Sequence, residues 1–100
     1  MCLVASVLSL CVFAAGYEYT AQCKINSTSY VVAEQNDRDG LVIVHGYGEA
    51  ANSTVVITTA PKDNINGTRY DYTVTIRDGY GEKNINSSWR IISVSNIVCY

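Results

Sequence analysis

The sequence has few of the residues on which enzymes and nucleic-acid-binding proteins usually depend. It contains one histidine, and its seven lysines and arginines are outnumbered by nine acidic residues, which gives a net charge of −2. No Cys/His cluster has the spacing of a metal site, and no glycine pattern is typical of a phosphate-binding loop. A protein that binds duplex nucleic acid needs a basic face to neutralise phosphates. We therefore predict no metal, no cofactor, no two-histidine catalysis and no duplex nucleic-acid partner.

The sequence also lacks an apolar run long enough for a stable membrane span. Its longest run extends from Leu3 to Ala15 and is interrupted only by two serines, whereas a spanning helix needs about 20 apolar residues. The run has the length of a signal-peptide core and ends in small residues that suit cleavage, although no basic residue precedes it. We predict a signal peptide over residues 1–16 and a single β-rich domain over residues 17–100, secreted to an extracellular location.

Cysteine usage is consistent with secretion. Cys2 and Cys11 would be removed with the signal peptide, which leaves Cys23 and Cys99. Two cysteines allow only one internal pairing. In an oxidising compartment, a disulfide bond between them would close a loop of about 75 residues and contribute roughly 4 kcal/mol of stability. The alternative is two free thiols.

Four N-x-[ST] sequons predict N-glycosylation. They begin at Asn26, Asn52, Asn66 and Asn86. Hairpin ends favour Asn, Ser and Gly for conformational reasons as well, but four sequons in so short a chain indicate a eukaryotic or viral glycoprotein. A glycan at any of these positions would require a surface location.

The patterning of the mature chain is mainly that of β-strands, because Val, Ile, Thr and Tyr are abundant. The clearest alternation covers Thr68–Arg77. The other predicted strands are Tyr17–Ile25, Leu41–Val44, Thr54–Thr59 and Trp89–Cys99, the last with a bulge near Ile91-Ile92. Capping residues and i/i+3/i+4 spacing predict one short helix over Ser27–Arg38, for which a strand is the alternative.

The predicted fold class is therefore α+β and β-rich. It consists of a short N-terminal strand, one short helix and a four-stranded antiparallel meander. The alternative is an all-β sandwich.

A short internal repeat marks the candidate binding site. The segment Gly46-Tyr47-Gly48-Glu49 recurs as Gly79-Tyr80-Gly81-Glu82, and each copy is followed by a sequon and an apolar run. Each copy is typical of a hairpin. Tyrosine combines a large contact area with a hydroxyl group and few rotatable bonds, as binding loops require. The candidate binding residues are Tyr47, Tyr80, Glu49, Glu82 and His45; the alternatives are turn glycines, packing tyrosines, solvated carboxylates and a structural histidine.

The predicted meander also arranges the ends of the sheet. Both repeats would fall at one end, with Asn52 and Asn86 beside them, and Asn66 would lie at the opposite end.

A cysteine near each mature terminus, the predicted helix and the four strands occur together in one known architecture. With the segment His45-Gly46-Tyr47, the chain resembles the fungal guanyl-specific ribonucleases and the secreted ribonuclease-like effectors of powdery-mildew fungi. The resemblance implies a helix packed on an antiparallel sheet and either a host-directed effector or RNA hydrolysis. For hydrolysis, His45 would be the base and Glu49 or Glu82 its carboxylate partner. Phosphate would be bound by Arg69, Arg77 or Arg90.

A second segment, Lys83 to Ser88, is similar to the βγ-crystallin calcium motif of two Asn/Asp, two free positions and Ser/Thr-Ser. Lys83 places a cation at the first ligand position. We therefore predict no metal site there.

These observations predict a small secreted, disulfide-stapled, N-glycosylated and non-catalytic protein that binds a protein partner, with a host-directed effector as one form. The first alternative is a ribonuclease-like enzyme that uses His45. The second is a structural subunit that self-associates through an exposed strand edge.

Overall fold

Seven β-strands and one short 3₁₀ helix form the described part of the chain. The structure is a computed structural model that describes residues 19–36 and 40–100. The strands are β1 (Tyr19–Lys24), β2 (Tyr30–Gln35), β3 (Leu41–Tyr47), β4 (Ser53–Pro61), β5 (Tyr70–Ile76), β6 (Tyr80–Asn84) and β7 (Trp89–Cys99), and the 3₁₀ helix η1 (Gly48–Ala51) joins β3 to β4. The predicted signal peptide, with Cys2 and Cys11, lies outside the described residues.

The strands form two antiparallel sheets that share one core. Sheet A has the strand order β1-β2-β3-β6, and sheet B has the order β5-β4-β7. Alternate side chains of each strand point to the same face, and the facing sides meet in a core of small β-branched residues. The core residues that are at most 2% exposed include Val31, Val42 and Val44 from sheet A and Val55, Ile57, Val74, Ile76, Ile91 and Val94 from sheet B. The described part of the chain is therefore β-rich, and its two antiparallel sheets pack on one core.

One buried polar side chain, that of Gln35 in β2, joins the two sheets. Its Nε2 donates a hydrogen bond to the carbonyl oxygen of Trp89 at 2.8 Å. Its Oε1 accepts one from the backbone N–H of Ile91, also at 2.8 Å. Both partners lie at the start of β7, and Gln35 is fully buried. The amide thus satisfies one backbone acceptor and one backbone donor of β7 and ties the two sheets together.

The predicted helix over Ser27–Arg38 is wrong wherever the structure describes it. Residues 30–35 form β2, the inner strand between β1 and β3. The β-branched pair Val31 and Val32 is buried on opposite faces of this strand, which suits a sheet better than a helix. The cap-like residues before it form a turn instead, since Asn26 Oδ1 accepts hydrogen bonds from the N–H groups of Thr28 and Ser29.

The absence of this helix decides the fold class. The α+β label is not supported, and the all-β alternative is closer. Among the described residues, no helix is long or apolar enough to cross a membrane.

The predicted meander is also wrong, although each predicted strand has a counterpart. β3 and β4 lie in different sheets, and β4 pairs with both β5 and β7. β6, which was not predicted, completes sheet A by pairing with β3. The bulge near Ile92 is confirmed, because Thr58 faces Ser93 while Thr59 faces Ile91.

The predicted disulfide bond between Cys23 and Cys99 is not formed, and both thiols are free. Cys23 lies in β1 opposite Val31, whereas Cys99 lies in β7 opposite Ser53. The two cysteines therefore belong to different sheets. β1 and β7 approach each other closely, but their registers do not bring these two thiols to bonding distance.

Candidate functional site

The two Gly-Tyr-Gly-Glu segments lie side by side at one end of sheet A. The first ends β3 and the second begins β6, so that His45 faces Tyr80 in the antiparallel register. The N–H of Gly46 donates to the carbonyl oxygen of Gly79 at 3.0 Å. The first copy leads from β3 of sheet A through η1 into β4 of sheet B. The second is entered from β5 of sheet B through a two-residue turn, across which Arg77 and Tyr80 form an isolated antiparallel bridge. Their proximity was predicted, but their connectivity was not.

A tight Asp-Gly turn positions the second copy. Asp78 and Gly79 have positive φ values of 52° and 84°, and Asp-Gly favours this geometry in two-residue turns. Arg77 and Tyr80 exchange two backbone hydrogen bonds across the turn at 3.0 and 3.1 Å. Asn52 Oδ1 accepts a third from the N–H of Asp78 at 3.2 Å. The turn is thereby fixed against the start of β4.

Close packing of the backbone positions the first copy. A Cβ atom on Gly46 would lie 2.2 Å from the carbonyl oxygen of Ala50 in η1. Only glycine fits this approach, which allows the chain to turn from β3 directly into η1. Tyr47 is therefore held at the end of β3 rather than on a free loop.

Four aromatic side chains share the outer face of sheet A, on the side away from the core. We call Tyr30, His45, Tyr47 and Tyr80 the tyrosine–histidine face. The rings of Tyr30 and Tyr47 are stacked with centroids 4.6 Å apart. The ring of His45 lies 6.5 Å from that of Tyr47 and 6.0 Å from that of Tyr80, the latter edge to face. Tyr47 and Tyr80 remain 43% and 46% exposed.

Two carboxylates belong to the same surface. Glu34 Oε1 lies 3.4 Å from His45 Nε2, and Glu34 itself is only 5% exposed. The hydroxyl of Tyr80 donates to Glu82 Oε1 at 2.7 Å. The first contact orients the imidazole, and the second orients an exposed carboxylate.

Burial on this face disfavours the charged forms of two of its acidic groups. Burial raises the pKa of Glu34, an effect that His45 offsets only in part. Burial also raises the pKa of the Tyr47 hydroxyl, assisted by Tyr30 and by Glu34. Both shifts favour the uncharged form of an acid.

We expect the Glu34→Gln variant to be more stable than the parent at pH 7. Because the pKa of Glu34 is raised on folding, the folded state binds the carboxyl proton more tightly than the unfolded state does. The free energy of unfolding therefore falls as the pH rises from the pKa of the unfolded state through that of the folded state. Glutamine removes the buried charge and keeps the shape. The gain in melting temperature should disappear below the usual pKa of glutamate. An equal gain from the exposed control Glu82→Gln, or a gain that persists in acid, would contradict this account.

The other predicted site residues lie at different distances from the face. Glu49 lies in η1, the 3₁₀ helix that begins directly after Tyr47. Its backbone N–H donates to Ser29 Oγ at 2.9 Å. Arg77 flanks the Asp-Gly turn near Tyr80. Arg69 and Arg90 lie at the opposite end of the strands, beside the β4–β5 loop and the start of β7. Of the three predicted phosphate-binding arginines, only Arg77 shares an end of the molecule with His45.

Tyr30 and Glu34 were not among the predicted site residues. Both were assigned to the predicted helix, where their spacing fitted one helical face. In a strand they alternate with buried residues, and the register places Tyr30 opposite Tyr47 and Glu34 opposite Ile43. The signal that could have found them is the strand alternative for this segment.

All four sequon asparagines are exposed. Asn26, in the β1–β2 turn, and Asn52, after η1, lie at the same end as the tyrosine–histidine face. The prediction for Asn86 is wrong: it lies with Asn66 at the opposite end, because β6 itself carries the chain away from the repeat.

In the part of the chain that the structure describes, no three His, Cys, Asp or Glu side chains are grouped as metal ligands would be. The segment similar to the βγ-crystallin motif contains the end of β6, and its Ile85 is buried in the core.

No protein-family model matches the chain, and no curated protein or solved structure is significantly similar to it. The ribonuclease-like and βγ-crystallin-like resemblances therefore remain predictions.

Proposed function

We propose that this chain is a small secreted glycoprotein that binds a protein partner, without catalysing a reaction, through its tyrosine–histidine face. The observation that carries the proposal is the position of Tyr47 and Tyr80, both more than two-fifths exposed, on either side of His45. Tyrosine is enriched at the centres of protein interfaces, where its ring is buried and its hydroxyl finds a partner.

The scaffold supports this role because it presents the rings on paired strands. His45 and Tyr47 belong to β3, which has a strand on each side, and Tyr80 begins the neighbouring β6. Rings held in this way lose little conformational entropy on binding, which lowers the cost of association. Two sequons, at Asn26 and Asn52, flank the same end, so their glycans would border the binding surface rather than cover the centre of the sheet.

Secretion and glycosylation are tested by intact mass. When the full chain is expressed in eukaryotic secretory cells, we expect medium-borne protein that begins after residue 16. Its mass should exceed that of the polypeptide and should fall on treatment with peptide-N-glycosidase. Protein that stays inside the cell with Met1 in place, or that is secreted at the bare polypeptide mass, would contradict this part of the proposal.

Binding is tested with an array of displayed extracellular domains. The probes are the secreted parent, a Tyr47→Ala/Tyr80→Ala variant and a Tyr70→Ala control, since Tyr70 is 57% exposed on β5 of the other sheet. We expect a domain that binds the parent and the control but not the double variant. Equal binding by all three probes, or no binding by the parent, would overturn the proposed surface.

One observation favours a second candidate, a ribonuclease-like enzyme. His45 has a carboxylate neighbour in Glu34, and a histidine oriented by a carboxylate is a common general base. Cleavage of labelled single-stranded RNA by the parent, abolished in a folded His45→Ala variant, would support this candidate. The same rate in both proteins would contradict it.

A further inference from the structure

We propose that the tyrosine–histidine face recognises an arginine side chain presented by the protein partner. The guanidinium would stack on the exposed ring of Tyr80 and pair with the carboxylate of Glu82, and Tyr47 lies beyond His45 on the same face. This inference rests on the proposed function, since it names the chemistry of the partner that the same face binds.

The geometry of the rings suits a planar cation. A tyrosine ring attracts a cation placed over its face within about 6 Å. The ring of Tyr80 is 46% exposed and is not stacked face to face on His45, which contacts it edge to face at 6.0 Å. A guanidinium is planar and weakly hydrated, so it stacks on aromatic faces more readily than an ammonium group does.

The charges of the face favour a cation over an anion. Two acidic residues, Glu34 and Glu82, lie on this face of sheet A. The face also carries one basic residue, Lys24 on the edge strand β1, and the titratable His45. Glu49 adds a third carboxylate at the adjacent start of η1.

Glu82 supplies the directional contact. Its Oε1 already accepts the hydrogen bond from the Tyr80 hydroxyl, so the carboxylate is oriented next to that ring. A carboxylate has about four acceptor positions, and those that remain can accept N–H groups from a guanidinium stacked on Tyr80. The two-donor fork of arginine matches a carboxylate, whereas the ammonium of lysine acts as a point charge.

The chain itself shows the same contact elsewhere. The guanidinium of Arg90 lies 4.3 Å from the ring centroid of Tyr19. Two ammonium groups lie farther from theirs, that of Lys62 at 5.8 Å from Tyr19 and that of Lys83 at 5.3 Å from Tyr72. The arginine makes the closest approach of the three. Arginine over tyrosine is thus an arrangement that this molecule already uses on its surface.

The test is a titration of the secreted, glycosylated protein with short blocked peptides, monitored by the NMR signals of its aromatic rings. The probes are Ac-Gly-Arg-Gly-amide, the lysine analogue and the citrulline analogue, which has the shape of arginine without its charge. We expect the arginine peptide to shift the signals of Tyr47, His45 and Tyr80 at millimolar concentration. The citrulline peptide should bind with an affinity at least about tenfold lower. Added salt should reduce the shifts.

Two variants make the outcome specific. Glu82→Gln should lower the affinity for the arginine peptide by about tenfold, the equivalent of one lost charge-assisted pair. Tyr70→Ala should leave this affinity unchanged. Equal affinity for the arginine and citrulline peptides, or shifts centred on Tyr70, would overturn the inference. If the displayed-domain array still yields a partner that depends on Tyr47 and Tyr80, that failure would leave the proposed function standing.

Discussion

Replacement of Gln35 by alanine is expected to lower the free energy of unfolding by about 2–5 kcal/mol. The side chain is fully buried and joins β2 to the start of β7 by two hydrogen bonds of 2.8 Å. Its removal leaves the N–H of Ile91 and the carbonyl of Trp89 without their partner in the interior, and a buried unsatisfied group costs about 1–3 kcal/mol. The loss is a large share of the total stability of a small domain, which is about 5–15 kcal/mol.

Urea denaturation of the parent and three variants measures this effect. Gln35→Met keeps most of the buried volume but removes the amide, so it should lose nearly as much stability as Gln35→Ala. The control is Gln22→Ala, because Gln22 is a half-buried residue of β1 on the outer face of sheet A. This variant should change stability by less than about 0.5 kcal/mol. A Gln35→Met variant as stable as the parent would show that the inter-sheet hydrogen bonds are not what the fold requires.

The second large effect concerns binding. The double variant Tyr47→Ala/Tyr80→Ala should weaken the affinity for the partner by about 30-fold or more, since truncation of central anchors costs about 2 kcal/mol or more. Both rings are exposed by more than two-fifths, so most of their apolar area is available to be buried by a partner. Surface plasmon resonance with the purified partner measures the change, which should arise mainly in the dissociation rate.

Thermal stability must be followed in the same samples, because Tyr47 stacks on Tyr30. Loss of that pair should cost about 1 kcal/mol, too little to unfold the domain. The control Tyr70→Ala removes a ring of at least equal exposure that forms an edge-to-face pair with Tyr72. A folded double variant that keeps the affinity of the parent would show that the partner binds elsewhere.

Local patterning predicted most strands because those segments alternate or are continuously apolar. The pattern of β5 is the clearest case, with Val74 and Ile76 buried as expected. Its two tyrosines are less buried than this pattern predicts. Tyr72 is half-buried and Tyr70 is exposed, because they lie towards the open end between the two sheets. Alternation predicts which face a residue takes, but not how far the opposite sheet extends over it.

Two elements could not be predicted from local pattern. β2 combines helix-compatible spacing with strand-favouring residues, and only its place between β1 and β3 decides the outcome. β6 has no apolar alternation. Its position follows from the Asp78-Gly79 turn and from Gly81, where a Cβ atom would lie 2.5 Å from the carbonyl oxygen of Thr75.

The candidate site could be predicted from the sequence only in part, because local pattern does not give the register of β2 and β6. The repeated Gly-Tyr-Gly-Glu segment indicated that Tyr47 and Tyr80 would be neighbours, and the pairing of β3 with β6 brings them to one face. Glu34 was missed because the register that places it beside His45 exists only once β2 is a strand.

The most direct test of the binding surface is site-specific photo-crosslinking to the partner. p-Benzoylphenylalanine is introduced in place of Tyr80 in one protein and in place of Tyr70 in another, two exposed tyrosines on different sheets. With both proteins folded and irradiated in the presence of the partner, the account predicts a covalent complex through position 80 and none through position 70. A complex through position 70 alone would contradict it.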